Sequence, residues 1–210
     1  MAKIKVSSLT VGALAVNCWL AANEDTKEAL VIDPGEEAER IKAYAEQKGW
    51  TIRYLLLTHG HSDHMGGAEA LKALTKAPIY AFKEEEATLL DPERNLSLEI
   101  NYRPITVKAD EFFTDGQEVT LCGITLRVLH TPGHTPGGCC FYCGEAGCVF
   151  SGDTLFQASV GRSDFPGGSM SNLVRSVREK LLALPEETVV YPGHGERTSI
   201  GYEKKYNPFL

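Results

Sequence analysis

Residues 51–67 read Thr51-Ile52-Arg53-Tyr54-Leu55-Leu56-Leu57-Thr58-His59-Gly60-His61-Ser62-Asp63-His64-Met65-Gly66-Gly67. The first seven form a short apolar run of the length of a buried strand. Six residues, 59–64, then hold three imidazoles and a carboxylate, and a helical pattern takes over at about 64–75. Such a cluster is costly for folding if it is merely structural. Imidazole nitrogens and carboxylate oxygens suit zinc, iron or manganese, and the loop has no sulfur, which sets aside an iron–sulfur cluster. A turn at Gly60 and Ser62 folds His59 and His61 onto one ion and presents Asp63 and His64 to another.

Outward from this stretch the chain alternates strands and helices. Upstream, residues 3–9, 16–22 and 28–32 read as strands, and the third stops at the turn Asp33-Pro34-Gly35. From Glu36 to Lys48 the apolar positions Ala38, Ile41 and Ala45 recur at helical spacing, with Gly49 placed to end the helix. Downstream come a strand at 78–81, a charged helix at 83–90 and a loop from Asp91 to Pro104. Strands at 118–122, 124–130, 138–143 and 147–151 follow, then a helix at about 169–183 and a last strand at 187–191. No linker, low-complexity tract or charge block divides the halves. The pattern predicts an α/β chain forming one domain of two similar layers over residues 1–210.

The remaining histidines fall where His59 does, just past an apolar strand. Leu126 to Leu129 runs into His130-Thr131-Pro132-Gly133-His134, and Val189-Val190-Tyr191 runs into Pro192-Gly193-His194. Cys148-Val149-Phe150 similarly runs into Ser151-Gly152-Asp153. Ligands offered by Gly-rich turns from strand ends are what a rigid, sheet-borne metal site requires.

The pattern His59-x-His61-x-Asp63-His64, with His134, Asp153, His194 and the segment Val31-Ile32-Asp33-Pro34-Gly35, resembles the metallo-β-lactamase-fold hydrolases across nearly the whole chain. Within them it is most similar to the short glyoxalase II-like (hydroxyacylglutathione hydrolase) group, through Gly161-Arg162-Ser163-Asp164-Phe165-Pro166-Gly167-Gly168, Tyr191-Pro192-Gly193-His194-Gly195 and Asn207-Pro208-Phe209-Leu210. The resemblance implies a four-layer αββα sandwich of two mixed β-sheets with helices on both outer faces. It implies two divalent metal ions, zinc first, with iron or manganese as alternatives. One ion would be held by His59, His61 and His134 and the other by Asp63, His64 and His194, with Asp153 between them. A hydroxide shared by the ions would attack the carbonyl of a small acyl thioester, with Asp63 as the catalytic carboxylate that orients it or accepts its proton. Longer glyoxalase II enzymes carry an extra C-terminal helical domain that supplies much of the glutathione-binding surface. This chain is expected to have no such domain, which leaves its acyl and thiol specificity open.

Several residues rank behind these. His130 reads as a packed or supporting histidine, and Asp33 as an Asx turn or a support for the metal loop. Cys139, Cys140, Cys143 and Cys148 read as packed thiols on two strands joined by a hairpin at Gly144 to Gly147, rather than as a zinc knuckle or a disulfide. Arg162 is a candidate for pairing with a carboxylate such as Asp153 or Asp164, or for touching substrate. Arg197, Tyr202, Lys204 and Lys205 form a cationic, aromatic tail that suits a carboxylate-bearing substrate, although a solvated tail is the simpler reading.

The net charge of −7, from 21 basic and 28 acidic residues, argues against a nucleic-acid partner. With 43% hydrophobic and 23% charged residues the chain is ordinarily globular. The start, Met1 to Lys5 followed by Val6 to Ala22, imitates a signal peptide but is broken by Ser7, Ser8, Thr10 and Asn17. No stretch approaches the roughly 20 apolar residues of a membrane span. The expected setting is therefore the cytoplasm, without a membrane or nucleic-acid partner and with a small-molecule substrate. The leading alternative is a persulfide dioxygenase of the same fold with a single iron, followed by a metallo-hydrolase of another acyl substrate. A secreted β-lactamase is set aside by the Asp, in place of a Cys, at position 153.

Overall fold

The computed structural model describes residues 3–210; Met1 and Ala2, the first residues of the signal-like stretch, lie outside the described residues. The first sheet contains β1 (Ile4–Val11), β2 (Val16–Asn23), β3 (Glu28–Ile32), β4 (Thr51–Leu56), β5 (Ile79–Phe82) and β6 (Glu111–Phe113), side by side in chain order. Neighbours are antiparallel from β1 to β3 and parallel from β3 to β6. The second sheet contains β7 (Glu118–Leu121), β8 (Ile124–His130), β9 (Cys139–Cys143), β10 (Cys148–Gly152), β13 (Val189–Pro192) and β14 (Thr198–Ser199). Its order is β14-β13-β10-β9-β8-β7, with β10 and β13 its parallel pair. Between β10 and β13 lies a separate two-stranded ribbon, β11 (Leu155–Phe156) with β12 (Ser159–Val160).

Side-chain alternation sorts the residues into layers. Leu30 and Ile32 of β3 face Leu126 and Val128 of β8 and Phe150 of β10 in the core between the sheets. Their neighbours Ala29 and Val31 point the other way, onto α1 (Ala38–Gln47) and α3 (Ala68–Thr75), through Ile41, Ala45 and Leu71. On the far face, Leu129 and Val149 pack against α6 (Met170–Ser176), its π-helical continuation Val177–Leu181, and Ile200 of α7 (Ile200–Tyr206). The result is the four-layer αββα sandwich of two mixed sheets.

The structure refines several expected elements. The helix expected at 64–75 is split by Gly66-Gly67 into α2 (Ser62–Met65) and α3, and that at 83–90 is a 3₁₀ turn, Lys83–Glu85, running into α4 (Glu86–Leu90). The loop from Asp91 contains α5 (Ser97–Ile100). The tail is a helix, α7, capped by Ser199 Oγ, which accepts the Tyr202 N–H. Its seven residues, one of them Gly201, are too few to show a periodicity. Cys143 and Cys148 sit opposite each other on β9 and β10 and face the inter-sheet core, while Cys140 faces outward; all six cysteines are free thiols. Among the described residues no helix is long and apolar enough to cross a membrane.

Candidate metal centre

Four strand ends deliver the polar side chains to one edge of the sandwich. β4 leads into His59, His61, Asp63 and His64; β8 into His134; β10 into Asp153; and β13 into His194. Two of the intervening glycines are required by close approach. A Cβ on Gly193 would stand 2.4 Å from Asp153 Oδ1 and 2.5 Å from His64 Cε1, and one on Gly152, where φ is +48°, would meet Thr58 Oγ1 at 2.2 Å.

The side chains fall into two groups. His59, His61 and His134 each offer a nitrogen within 4.8 Å of the others, as do Asp63, His64 and His194 with their ligand atoms. Asp153 reaches both groups: Oδ2 lies 3.5 Å from His134 Nε2 and 3.6 Å from His194 Nε2, and Oδ1 lies 3.3 Å from His64 Nε2. Asp63 Oδ2 lies 3.4 Å from His194 Nε2.

The tautomers are fixed from behind. His134 Nδ1–H donates to the Arg162 carbonyl at 2.6 Å, and His194 Nδ1–H to the Leu14 carbonyl at 3.1 Å. His64 Nδ1–H donates to Asp33 Oδ2 at 3.0 Å. In all three rings the Nε2 is left facing the group. Thr58 Oγ1–H also donates to Asp33 Oδ2, at 2.6 Å, so the contact at 3.1 Å between Thr58 Oγ1 and His59 Nδ1 has the ring as its donor. Asp33 thus orients His64 directly and His59 through Thr58, and its Oδ1 takes the Thr58 backbone N–H at 2.8 Å. It does this from a left-handed backbone conformation, φ 54°, that Asp tolerates better than most residues. It supports the ligands, as expected, and adopts the turn with Pro34-Gly35.

The electrostatics separate the two groups. Burial pushes His59 well down, His61 down to about 3 and His134 down, so all three rings are neutral near pH 7. Burial pushes His64 and His194 the same way, but the carboxylates of Asp153 and Asp63 override it and hold both above the ordinary 6.5. Asp63 and Asp153 are in turn kept below the usual carboxylate range against their burial, chiefly by His64.

These residues fit divalent metal. His59 Nε2 and Asp153 Oδ1 are buried without a hydrogen-bond partner, a costly arrangement that a cation between them would relieve. The His61 Nδ1 and His134 Nε2 atoms approach to 2.9 Å, as nitrogens converging on one ion would. The donors are all nitrogen and oxygen, a set suited to zinc, iron or manganese.

Above the centre lies a cavity of about 290 Å³. His61, Asp63, His134, Asp153 and His194 form its floor, and Leu14, Leu96, Ile100, Phe156, Phe165 and Arg162 line its sides. The Arg162 guanidinium forms two hydrogen bonds with Asp164, at 2.9 and 2.7 Å, and lies 4.2 Å from the Phe165 ring centre. The tail residues are not brought to this cavity. Arg197 lines a separate groove with Ser8, Asn17 and Tyr191; Lys204 pairs with Glu186 at 3.4 Å; and Lys205 and Tyr202 lie against Tyr206. Forming α7 turns Tyr202, Lys204 and Lys205 toward their own neighbours. His130 stacks on Phe82 and donates through Nε2–H to the Pro136 carbonyl, holding the His134 loop.

Glu85 is a residue that sequence reasoning missed. It is 1% exposed, and its two oxygens accept the Gly60 N–H at 2.8 Å and the Gly137 N–H at 2.7 Å. One side chain therefore ties the loop of His59 and His61 to the loop of His134. Burial pushes its carboxyl up to about 7, against the pull of those two N–H groups. Nothing in the run Lys83-Glu84-Glu85-Glu86 marks the one glutamate that turns inward.

A family model described as the metallo-beta-lactamase superfamily matches residues 11–194. Among curated proteins the chain is similar to the hydroxyacylglutathione hydrolase GloC of Haemophilus influenzae, with 38% identity over 209 residues covering 99% of this chain and 98% of that protein. Among solved structures it is similar to the BLEG-1 B3 metallo-beta-lactamase, with 39% identity and a TM-score of 0.93 over 98% of this chain and 99% of that one. It is also similar to TTHA1623 in a di-iron-bound form, with 37% identity and a TM-score of 0.82 over 97% of this chain and all of that one.

Proposed function

The chain belongs to the metallo-beta-lactamase superfamily and is a metallo-hydrolase of that superfamily, and from that premise we propose a dinuclear enzyme that hydrolyses a small acyl thioester of the hydroxyacylglutathione type. One observation carries the dinuclear reading: Asp153 lies within reach of both ligand groups, with one oxygen lacking any hydrogen-bond partner. His59, His61 and His134 would hold one ion, Asp63, His64 and His194 the other, and Asp153 both.

Bound there, a pair of divalent ions supplies a water-derived nucleophile at neutral pH and polarises a carbonyl. The chain's own contribution is to keep the ligands in one protonation state and one pose. Asp33, Thr58 and the carbonyls of Arg162 and Leu14 fix four imidazole tautomers. Asp63, held ionised beside His64 and His194 and exposed to the cavity, is placed to orient a nucleophile or take its proton. The apolar walls exclude water from the reacting carbonyl. Zinc suits the nitrogen-rich donors, and the di-iron form of TTHA1623 makes iron the metal to test beside it. The thioester reading is supported by likeness to GloC, and a cytoplasmic setting by the six free thiols.

The test is a metal-loaded screen of thioesters in which S-lactoylglutathione is compared with the same acyl group on other thiol carriers, with free thiol as the readout. The reading requires two ions per chain and release of thiol without oxygen consumption. One iron per chain with oxygen uptake on a persulfide would replace it with the dioxygenase alternative.

A further inference from the structure

The cavity's walls indicate what flanks the bond to be broken, and this inference rests on the thioester reading above. Three of the five apolar residues are placed by their contacts with the floor. Phe165 stands edge-on to His61 and His134, with ring centres 5.2 and 5.9 Å away, and Phe156 stands 6.3 Å from His194. The Leu14 carbonyl accepts the His194 Nδ1–H, and Leu96 and Ile100 complete the lining. The Leu96 wall is fixed in place. Asn95 O accepts the Ser62 N–H of α2 at 2.8 Å, and Asn95 Nδ2 donates to the Ile105 carbonyl at 2.8 Å. Ser97 Oγ accepts the Ile105 N–H at 3.0 Å, which closes the segment on itself.

Charge recognition is missing from the walls above the floor. Arg162 is the one lysine or arginine among the lining residues, and Asp164 already pairs with its guanidinium. The tail cations lie elsewhere, and the net charge of −7 repels an anion approaching from a distance. A carboxylate at the far end of an acyl group, lying against these apolar side chains rather than on the floor, would lose water and meet no basic side chain.

We propose that Leu14, Leu96, Ile100, Phe156 and Phe165 form an acyl subsite selective for uncharged acyl groups of short to medium length, so that a butyryl or hexanoyl thioester is a better substrate than an acetyl or succinyl one. At about 290 Å³ the cavity sits at the small end of ligand pockets, which limits the length of the chain it can hold.

Two series on the metal-loaded enzyme test this. In the first, acetyl, propionyl, butyryl, hexanoyl, lactoyl and succinyl thioesters of one neutral thiol, N-acetylcysteamine, are compared by kcat/KM. Hexanoyl should exceed acetyl by roughly tenfold or more, since added methylenes enter apolar surroundings. Butyryl should exceed succinyl by at least about tenfold. In the second, alkyl hydroxamates from acetyl to hexanoyl are titrated calorimetrically as metal-directed probes, and affinity should tighten along the series. Ile100→Lys, or Leu14→Lys at a half-exposed turn, should move the succinyl-to-butyryl ratio upward by about tenfold. Equal turnover of succinyl and butyryl thioesters, or hydroxamate affinity independent of chain length, would overturn the subsite. Chain-length-dependent hydroxamate binding with no thioester cleaved would leave the subsite standing and remove the thioester reading instead.

Discussion

The two halves of the metal centre are built from the same residue types and behave differently. His59, His61 and His134 are buried rings at which burial outweighs the pull of Asp153, so they stay neutral. His64 and His194 share their half with Asp63 and Asp153, and His194 is open to solvent on one side. There the carboxylates win over burial and the imidazoles retain a proton. The difference teaches that a ligand set is more than a list of donors. One half is ready for a cation as it stands, whereas the other must exchange a proton for it.

The comparison can be broken most severely at the residue the halves share. Asp153→Ala should remove the second ion and reduce turnover by well over about a hundredfold, beyond the range for a supporting residue. Retention of two ions by this variant would show that the halves do not meet at Asp153. Asp33→Ala should weaken metal binding by about 10–100-fold, because it releases His64 directly and His59 through Thr58. Losses as large as those of Asp153→Ala would rank the two carboxylates wrongly. Glu85→Gln separates the halves. It replaces one acceptor oxygen with an NH₂ facing a backbone N–H, and both loops it ties belong to the three-histidine half. Affinity for the first ion should fall by about tenfold, with the Asp63 half little changed, as read by chelator competition. Equal weakening of both steps would mean that Glu85 supports the fold in general. At the small end, neutralising Arg197, Lys204 and Lys205 together should change KM for an anionic thioester by less than about twofold, as expected of exposed charges engaged elsewhere. A tenfold rise in KM would return the tail to the substrate.

The ligand-bearing turns were legible in the sequence because each follows a strand whose apolar run is unambiguous, and because histidines at strand ends have few structural uses. The strand expected at 28–32 is there, and its unbroken apolar run Ala29 to Ile32 sends alternate residues into the two cores. What could not be read depends on contacts distant along the chain. Glu85 lies 25 residues from Gly60 and 52 from Gly137, and its neighbours Glu84 and Glu86 look the same in the sequence. The cavity walls come from four separate segments, in which Leu14, Ile100 and Phe156 resemble ordinary half-buried residues. The tail was read from its charge, but the seven-residue helix that redirects those charges depends on a Ser199 cap and on Glu203, buried against Ala158 and Thr198.

Calorimetric titration of the metal-free protein with zinc at pH 7, repeated in buffers of different ionisation enthalpy, counts the protons that each metal site releases. A ring held below its ordinary 6.5, such as His61 at about 3, carries no proton at pH 7 and releases none, so its half should bind with an affinity that changes little as pH falls below neutrality. A ring held above 6.5 must give up its proton, so affinity for the second ion should fall as pH drops through neutrality. The account predicts two resolved steps, the first with almost no proton release and the second releasing about one proton or more. A single equivalent of zinc, or two equivalents with the same proton release, would contradict it.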